Sequence, residues 1–183
     1  KGMKILIASD IHGSAHFCKM LISAIEKEKP QKVLLLGDIL YHGPRNDLPL
    51  GYAPKEVIAM LNPLKDMLLC VRGNCDAEVD QMVLSFPIMA DYAVLPLGEK
   101  TLYCSHGHIY NKQSLLPMNK GDILINGHTH VPECTDLGDV TYLNCGSVSI
   151  PKENSPHSYM IFENDEFLWK NLENGEVYKS YKL

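Results

Sequence analysis

The sequence predicts an α/β protein in which two sheets pack face to face with helices outside. Three observations carry this reading. Short, continuous apolar runs alternate with amphipathic stretches through residues 4–74. The second half consists instead of short β-like stretches separated by turn residues. Asn174-Gly175 is a strong hairpin signal, so at least the last strands are expected to pair antiparallel.

Taken in order, Lys4 to Ala8 is an apolar run bounded by polar residues and reads as a buried strand. Ser14 caps the helix that follows, because Phe17, Leu21, Ala24 and Ile25 fall on one face, and Pro30 stops it. Val33 to Leu36 is the next buried strand, ending at Gly37-Asp38. Pro54 suits the first turn of a second helix running to about Leu61. Met67 to Val71 forms a third strand, ending at Arg72-Gly73-Asn74. Strand–helix–strand–helix–strand order implies parallel pairing through right-handed crossovers. Further strands are expected at 93–97, 100–104, 122–126, 140–144, 158–162, 166–170 and 177–182.

The 183 residues, 45% hydrophobic and 21% charged, suit one domain over residues 1–183 with a sizeable core. A net charge of −5 argues against a general nucleic-acid coat, which needs clustered Lys and Arg. No apolar run approaches the roughly 20 residues that span a bilayer. The short run before Ser9-Asp10 does not read as a signal peptide, and Met3, after Lys1-Gly2, reads as the natural start. Six cysteines without CxxC spacing indicate reduced thiols and a cytoplasmic protein.

Metal-binding side chains recur where strands end. Asp10 and His12 lie two apart, so an extended backbone would aim both to one side. Asp38 follows the second strand and Asn74 the third. His106 follows the strand ending at Cys104, and Gly127-His128-Thr129-His130 follows the one ending near Ile125. Each piece alone is weak: a Gly-Asp pair is usually a turn. Carboxyl ends of strands are where α/β sheets bind ligands, so five such ends are expected to converge on one crevice.

The ordered pattern Asp10-x-His12, Gly37-Asp38, Gly73-Asn74, His106, Gly127-His128-x-His130 resembles the calcineurin-like metallophosphoesterase superfamily, over residues 4–150. It is similar to that superfamily's small bacterial and archaeal phosphodiesterases in its compact length and in Gly73-Asn74-Cys75-Asp76. The segments His42-Gly43-Pro44-Arg45-Asn46 and Asn144 to Pro151 are similar as well. The resemblance implies a four-layer α/β/β/α sandwich of two packed mixed sheets with outer helices. It implies that Asp10, His12 and His130 bind one metal, that Asn74, His106 and His128 bind a second, and that Asp38 bridges them. The implied activity is a metal-dependent phosphodiesterase hydrolysing small phosphate esters.

Carboxylate, imidazole and amide oxygen suit Mn²⁺, with Fe²⁺, Zn²⁺, Ni²⁺, Co²⁺ or Mg²⁺ as substitutes. Two divalent ions and two carboxylates leave about +2, which draws a phosphate to an acidic chain. Metals roughly 3.5–4 Å apart lower the pKa of a bridging water, and the resulting hydroxide attacks phosphorus in line.

In much of the superfamily a histidine follows the Gly-Asn and protonates the leaving group. Here Cys75 stands there, and a thiol is a poor hydrogen-bond donor. Losing a general acid costs on the order of 10²–10⁴-fold, least when the leaving group is already stable. The expectation is a diesterase favouring good leaving groups, with Asp38, Asn74 and Cys75 at the reacting centre and Cys75 either catalytic or a small space-filler. His42 or His108 is the substitute proton source, Arg45 and Arg72 are candidate phosphate contacts, and Tyr52 and Phe86 are candidate groove residues. His16 and His157 read as surface residues, and Cys18, Cys70 and Cys104 as core.

Three other functions compete. A non-catalytic interaction scaffold, like the retromer subunit of this fold, would tolerate loss of metal ligands, and all seven types are intact here. A nuclease would carry a basic stripe or extra DNA-binding region. A phosphomonoesterase or dinucleotide-polyphosphate hydrolase is the nearest rival, weakened by Cys75. A homodimer is the default assembly.

Overall fold

The computed structural model describes residues 2–183, so Lys1 lies outside it. The first half runs β1 (Ile5–Ala8), α1 (Ala15–Glu28), β2 (Lys32–Leu35), α2 (Pro54–Leu61), a 3₁₀ turn (Asn62–Leu64), β3 (Leu68–Cys70) and α3 (Glu78–Gln81). The second adds β4 (Ala93–Leu97), β5 (Lys100–Cys104), β6 (Ile123–Asn126), β7 (Glu133–Asp136) and β8 (Thr141–Asn144). It closes with β9 (Ser158–Glu163), β10 (Glu166–Asn171) and β11 (Val177–Lys182).

Two mixed sheets result, ordered β11-β10-β9-β1-β2-β3 and β4-β5-β6-β8-β7. The β1, β2 and β3 strands are parallel, as the alternating pattern predicts, and β9, β10 and β11 are antiparallel. In the second sheet β5, β6 and β8 are parallel, with β4 and β7 antiparallel at the edges. The sequence reading passes over β7, an edge strand of Glu-Cys-Thr-Asp that lacks an apolar alternation. It also passes over α3, too short to show a period.

Strands β1, β2, β3 and β9 of the first sheet divide their side chains between two cores. Ile5, Ile7, Leu34, Leu36 and Met160 meet Leu102, Cys104, Ile123, Ile125 and Leu143 between the sheets. Leu6, Ala8, Val33 and Leu35 meet Phe17, Cys18, Leu21 and Ile25 of α1 and Val57 and Leu61 of α2 on the other side. Phe86 is buried in this second core and lines no groove. Trp169 is fully buried between the sheets, and its indole N–H donates to the Asn144 carbonyl at 2.7 Å, tying β10 to β8.

Ser14 caps α1, accepting from the Phe17 N–H at 3.1 Å, and Pro54 opens α2. The first sheet therefore carries the helical layer. On the outer face of the second sheet lies the strand-free segment 105–122, whose Lys112 pairs with Glu133 and sits 5.3 Å from the Tyr142 ring centre. No described helix is long and apolar enough to cross a membrane.

Glu28, at the end of α1, accepts from Lys4 at 2.9 Å, Tyr159 at 3.0 Å and Lys170. Burial opposes its charge, but Lys170 and Lys4 overcome that and hold the carboxyl down at about 2. A carboxyl lowered from about 4.5 in the unfolded chain stabilises the fold above that value and loses the effect as pH falls towards 2. Glu28→Gln is expected to cost on the order of 1–3 kcal/mol at pH 7, with the gap closing below pH 4. Urea unfolding of both chains at several pH values measures it; a pH-independent gap would remove the ionic explanation.

Candidate metal centre

All five predicted positions lie at carboxyl ends of parallel strands and meet at one edge of the sandwich. Asp10 follows β1, Asp38 follows β2, Asn74 follows β3, His106 follows β5, and His128 and His130 follow β6. Residues Asp10, His12 and His130 form one compact group, and Asp38, His106 and His128 another.

The backbone that presents them is not extended, which corrects the reading of Asp10-x-His12. Asp10, His12, Asp38, His128 and His130 all take left-handed φ values, between 48° and 66°. Each left-handed residue costs about 1–2 kcal/mol, and Asp and His bear it better than most. Neighbouring loops hold the strain. The Asp10, His12 and Gly13 N–H groups donate to Gly37, Asp38 and Ile39 carbonyls at 3.1, 2.9 and 2.8 Å, so the loops after β1 and β2 run as a ladder.

Loops after β3, β6 and β8 brace this ladder. Asp76 accepts the backbone N–H groups of Asp38, Ile39 and Gly73 at 2.8, 3.0 and 2.7 Å, although burial pushes its carboxyl up. Ser147 and Ser149 hydroxyls donate to the Asp10 carbonyl at 3.1 and 2.9 Å. Asn144 donates to the Gly127 carbonyl at 2.7 Å and so fixes the loop carrying His128. Gly73 and Gly127 are required by closeness: a Cβ would overlap Asp38 Oδ1 at one and Ser9 Oγ at the other. None of these bracing roles follows from a motif, although the Asn144 to Pro151 segment marks its residues.

Imidazole tautomers follow from the carbonyls around them. The Nδ1 atoms of His12, His106 and His130 lie 2.8, 2.6 and 2.6 Å from the carbonyls of Tyr41, Leu36 and Ile150, so each carries its proton there. In the neutral ring every Nε2 is then the free nitrogen, and these nitrogens face one another. His12 Nε2 and His130 Nε2 are 3.3 Å apart, and Asp10 Oδ1 lies 3.3 and 3.2 Å from them. Asp10 Oδ1 is buried and has no hydrogen-bond partner. Likewise His106 Nε2 faces Asn74 Oδ1 at 3.0 Å, Asp38 Oδ2 at 3.1 Å and His128 Nδ1 at 3.2 Å.

With neutral rings these acceptors crowd one another and repel, and either added protons or a cation between them relieves this. Asp38 touches both groups: its Oδ1 accepts the Cys75 N–H at 2.8 Å, while Oδ2 lies 3.6 Å from His12 Nε2 and 3.1 Å from His106 Nε2. The donor set of oxygen and imidazole nitrogen fits divalent ions of borderline to hard character.

Without a cation, protons take up part of this role. Burial opposes ionisation of Asp10, but His106, His12 and His130 hold its carboxyl well below the usual range. Burial also opposes the His106 proton, yet Asp10 and Asp38 lift that imidazole to about 9, and the same carboxylates raise His12. His128 is pushed down to about 4 by burial and by His106, leaving it neutral and able to bind.

A cavity of about 270 Å³ opens on both groups. His12, Asp38, Asn74, Cys75, His128 and His130 line it, with Gly43 to Asn46, Thr129 and Lys152. Arg45 therefore reaches the cavity, while Arg72 is an anchor paired with Asp91 at 3.1 Å. His42 and His108 do not line it, and Tyr52 packs against His42 and Gly13. His16 is exposed, and His157 stacks on Phe17 at 3.8 Å, far from a bare surface residue. Lys152 is a cavity residue that the sequence reading does not single out.

Comparison with known proteins gives a consistent picture. The calcineurin-like phosphoesterase superfamily domain profile matches residues 3–166. The chain is 44% identical to "Phosphodiesterase YfcE" of Escherichia coli K12 over 163 residues, 89% of each protein. The solved structure of YfcE, described as a phosphoesterase from E. coli, superposes with a TM-score of 0.95 at 40% identity, covering 98% of this chain and 99% of that one. Vps29 of Entamoeba histolytica superposes at 0.62 with 21% identity over 99% of both chains, a likeness of fold.

As a ligand, His106 would offer one lone pair for which cation and proton compete. With the imidazole raised to about 9, metal must displace a proton below that pH. Apparent metal affinity is expected to rise about tenfold per pH unit from 7 towards 9 and to flatten above. Calorimetric titration of Mn²⁺ in buffers of different ionisation enthalpy should record the released proton; pH-independent binding without release would contradict this account.

Proposed function

Because the chain belongs to the calcineurin-like phosphoesterase superfamily, we propose that it hydrolyses small phosphodiesters with stable leaving groups at a dinuclear metal centre. The observation that carries this reading is the sharing of Asp38 Oδ2 between two sets of converging lone pairs. Asp10, His12 and His130 would hold one divalent ion and Asn74, His106 and His128 the other, with Asp38 between them. Mn²⁺ is the favoured metal on ligand chemistry. Paired divalent ions supply water activation and charge neutralisation at phosphorus.

The chain's own residues do the rest. Carbonyls of Tyr41, Leu36 and Ile150 fix three imidazoles in the binding tautomer. The Cys75 N–H orients Asp38. Arg45 supplies a cation on the cavity wall for the phosphoryl group. The cavity volume fits a small ester rather than a polymer. Free cysteines and the absence of a membrane-crossing helix among the described residues support a cytoplasmic setting.

Cys75 sets the substrate preference. Burial and then Asp38, Asp76 and Asp10 push its thiol up to about 12, and its sulfur accepts from Asn74 Nδ2 at 3.5 Å. A thiol is a poor hydrogen-bond donor and a weak substitute for an imidazolium as general acid. Leaving groups that need no proton are therefore favoured. Cys75→His, metal-reconstituted and assayed on diesters of graded leaving-group pKa, should raise poor-leaving-group rates by about tenfold or more relative to aryl rates. An unchanged profile would remove Cys75 from the explanation. Asp38→Asn should lower activity by at least about 10²-fold on every substrate, and retained activity would overturn the shared-carboxylate reading.

A further inference from the structure

The cavity carries more positive charge than one diester needs. Arg45 comes from the loop after β2 and Lys152 from the loop before β9, and both line the cavity. Neither belongs to an ion pair among the described residues. The only carboxylate lining the cavity is Asp38, which already faces His12 and His106. Two divalent ions with Asp10, Asp38 and a bound hydroxide would leave about +1, and the two side chains raise this to about +3. A diester with one negative charge leaves most of that unmatched.

The Lys152 backbone is fixed, and its side chain is exposed. Its N–H donates to the His130 carbonyl at 3.0 Å, coupling it to the imidazole loop. Ser155 closes on its carbonyl through the hydroxyl at 2.6 Å and the N–H at 3.1 Å. Glu153 and Asn154, both left-handed at φ 54° and 57°, make the tight turn between them. Two consecutive non-glycine residues in that region are costly, and the turn they form places the lysine at the cavity rim.

We infer that Lys152 is a specificity residue that binds a second anionic group on the substrate. The preferred class is then a phosphodiester whose arm carries a further phosphate or carboxylate. This rests on the diesterase reading above and deepens it.

Titration calorimetry on the Mn²⁺-loaded chain tests it with ethyl phosphate, phosphoglycolate and ethane-1,2-diol bisphosphate. At least one doubly functional ligand should bind about tenfold tighter than ethyl phosphate, the expected worth of a charge-assisted contact. Whichever of the two is tighter names carboxylate or phosphate as the second anion. The advantage should fall to about twofold in Lys152→Ala and persist in Lys152→Arg. Equal binding of all three ligands, or an advantage that survives Lys152→Ala, would overturn the inference. Parallel kinetics on aryl diesters with neutral and anionic arms separates the two readings. No diester hydrolysis at all defeats the diesterase reading, whereas hydrolysis with no preference between arms defeats only this one.

Discussion

The site depends on one carboxylate held still between two rings. Asp38 sits in a left-handed backbone with one oxygen tied to the Cys75 N–H, which leaves the other facing His12 and His106. Around it, three imidazoles are turned by backbone carbonyls so that bare nitrogens point inwards. With the rings deprotonated, such an arrangement of acceptors is unfavourable in itself, and it is the kind of local cost that functional sites carry while the scaffold supplies the stability.

That scaffold is the two-sheet core. Parallel β1, β2 and β3 in one sheet, and β5, β6 and β8 in the other, end at the same edge of the sandwich. Trp169 links the core to this edge through the Asn144 carbonyl, and the Asn144 side chain continues the link to the loop bearing His128. Asp76 performs the same service for the loops after β2 and β3 with three backbone N–H groups. Rigid polar bracing of this kind would hold the proposed ligand atoms in place before any ion arrives and so reduce the ordering cost of binding.

Much of this was legible in the sequence, for a definite reason. Residues whose chemistry is local announce themselves: Ser14 as a cap, Pro54 at a first turn, and apolar runs as buried strands. Strand ends bearing Asp, Asn and His also announce themselves by order. Backbone conformation at those ends does not, because the left-handed turns at Asp10 and His12 arise from the neighbouring loop's carbonyls rather than from the residues themselves. The bracing by Asp76, Ser147 and Ser149 is equally silent, since each acts across a long sequence separation on backbone atoms. Lys152 reads as an ordinary surface lysine until the fold brings it beside Thr129 and His130.

We propose that one carboxylate, Asp38, joins two cation sites in each chain. Electron paramagnetic resonance of the Mn²⁺-reconstituted protein, with metal analysis on the same sample, addresses it directly. Two Mn²⁺ per chain and the spectrum of an exchange-coupled pair are expected. A single Mn²⁺ per chain, or two with the signal of isolated ions, would contradict it.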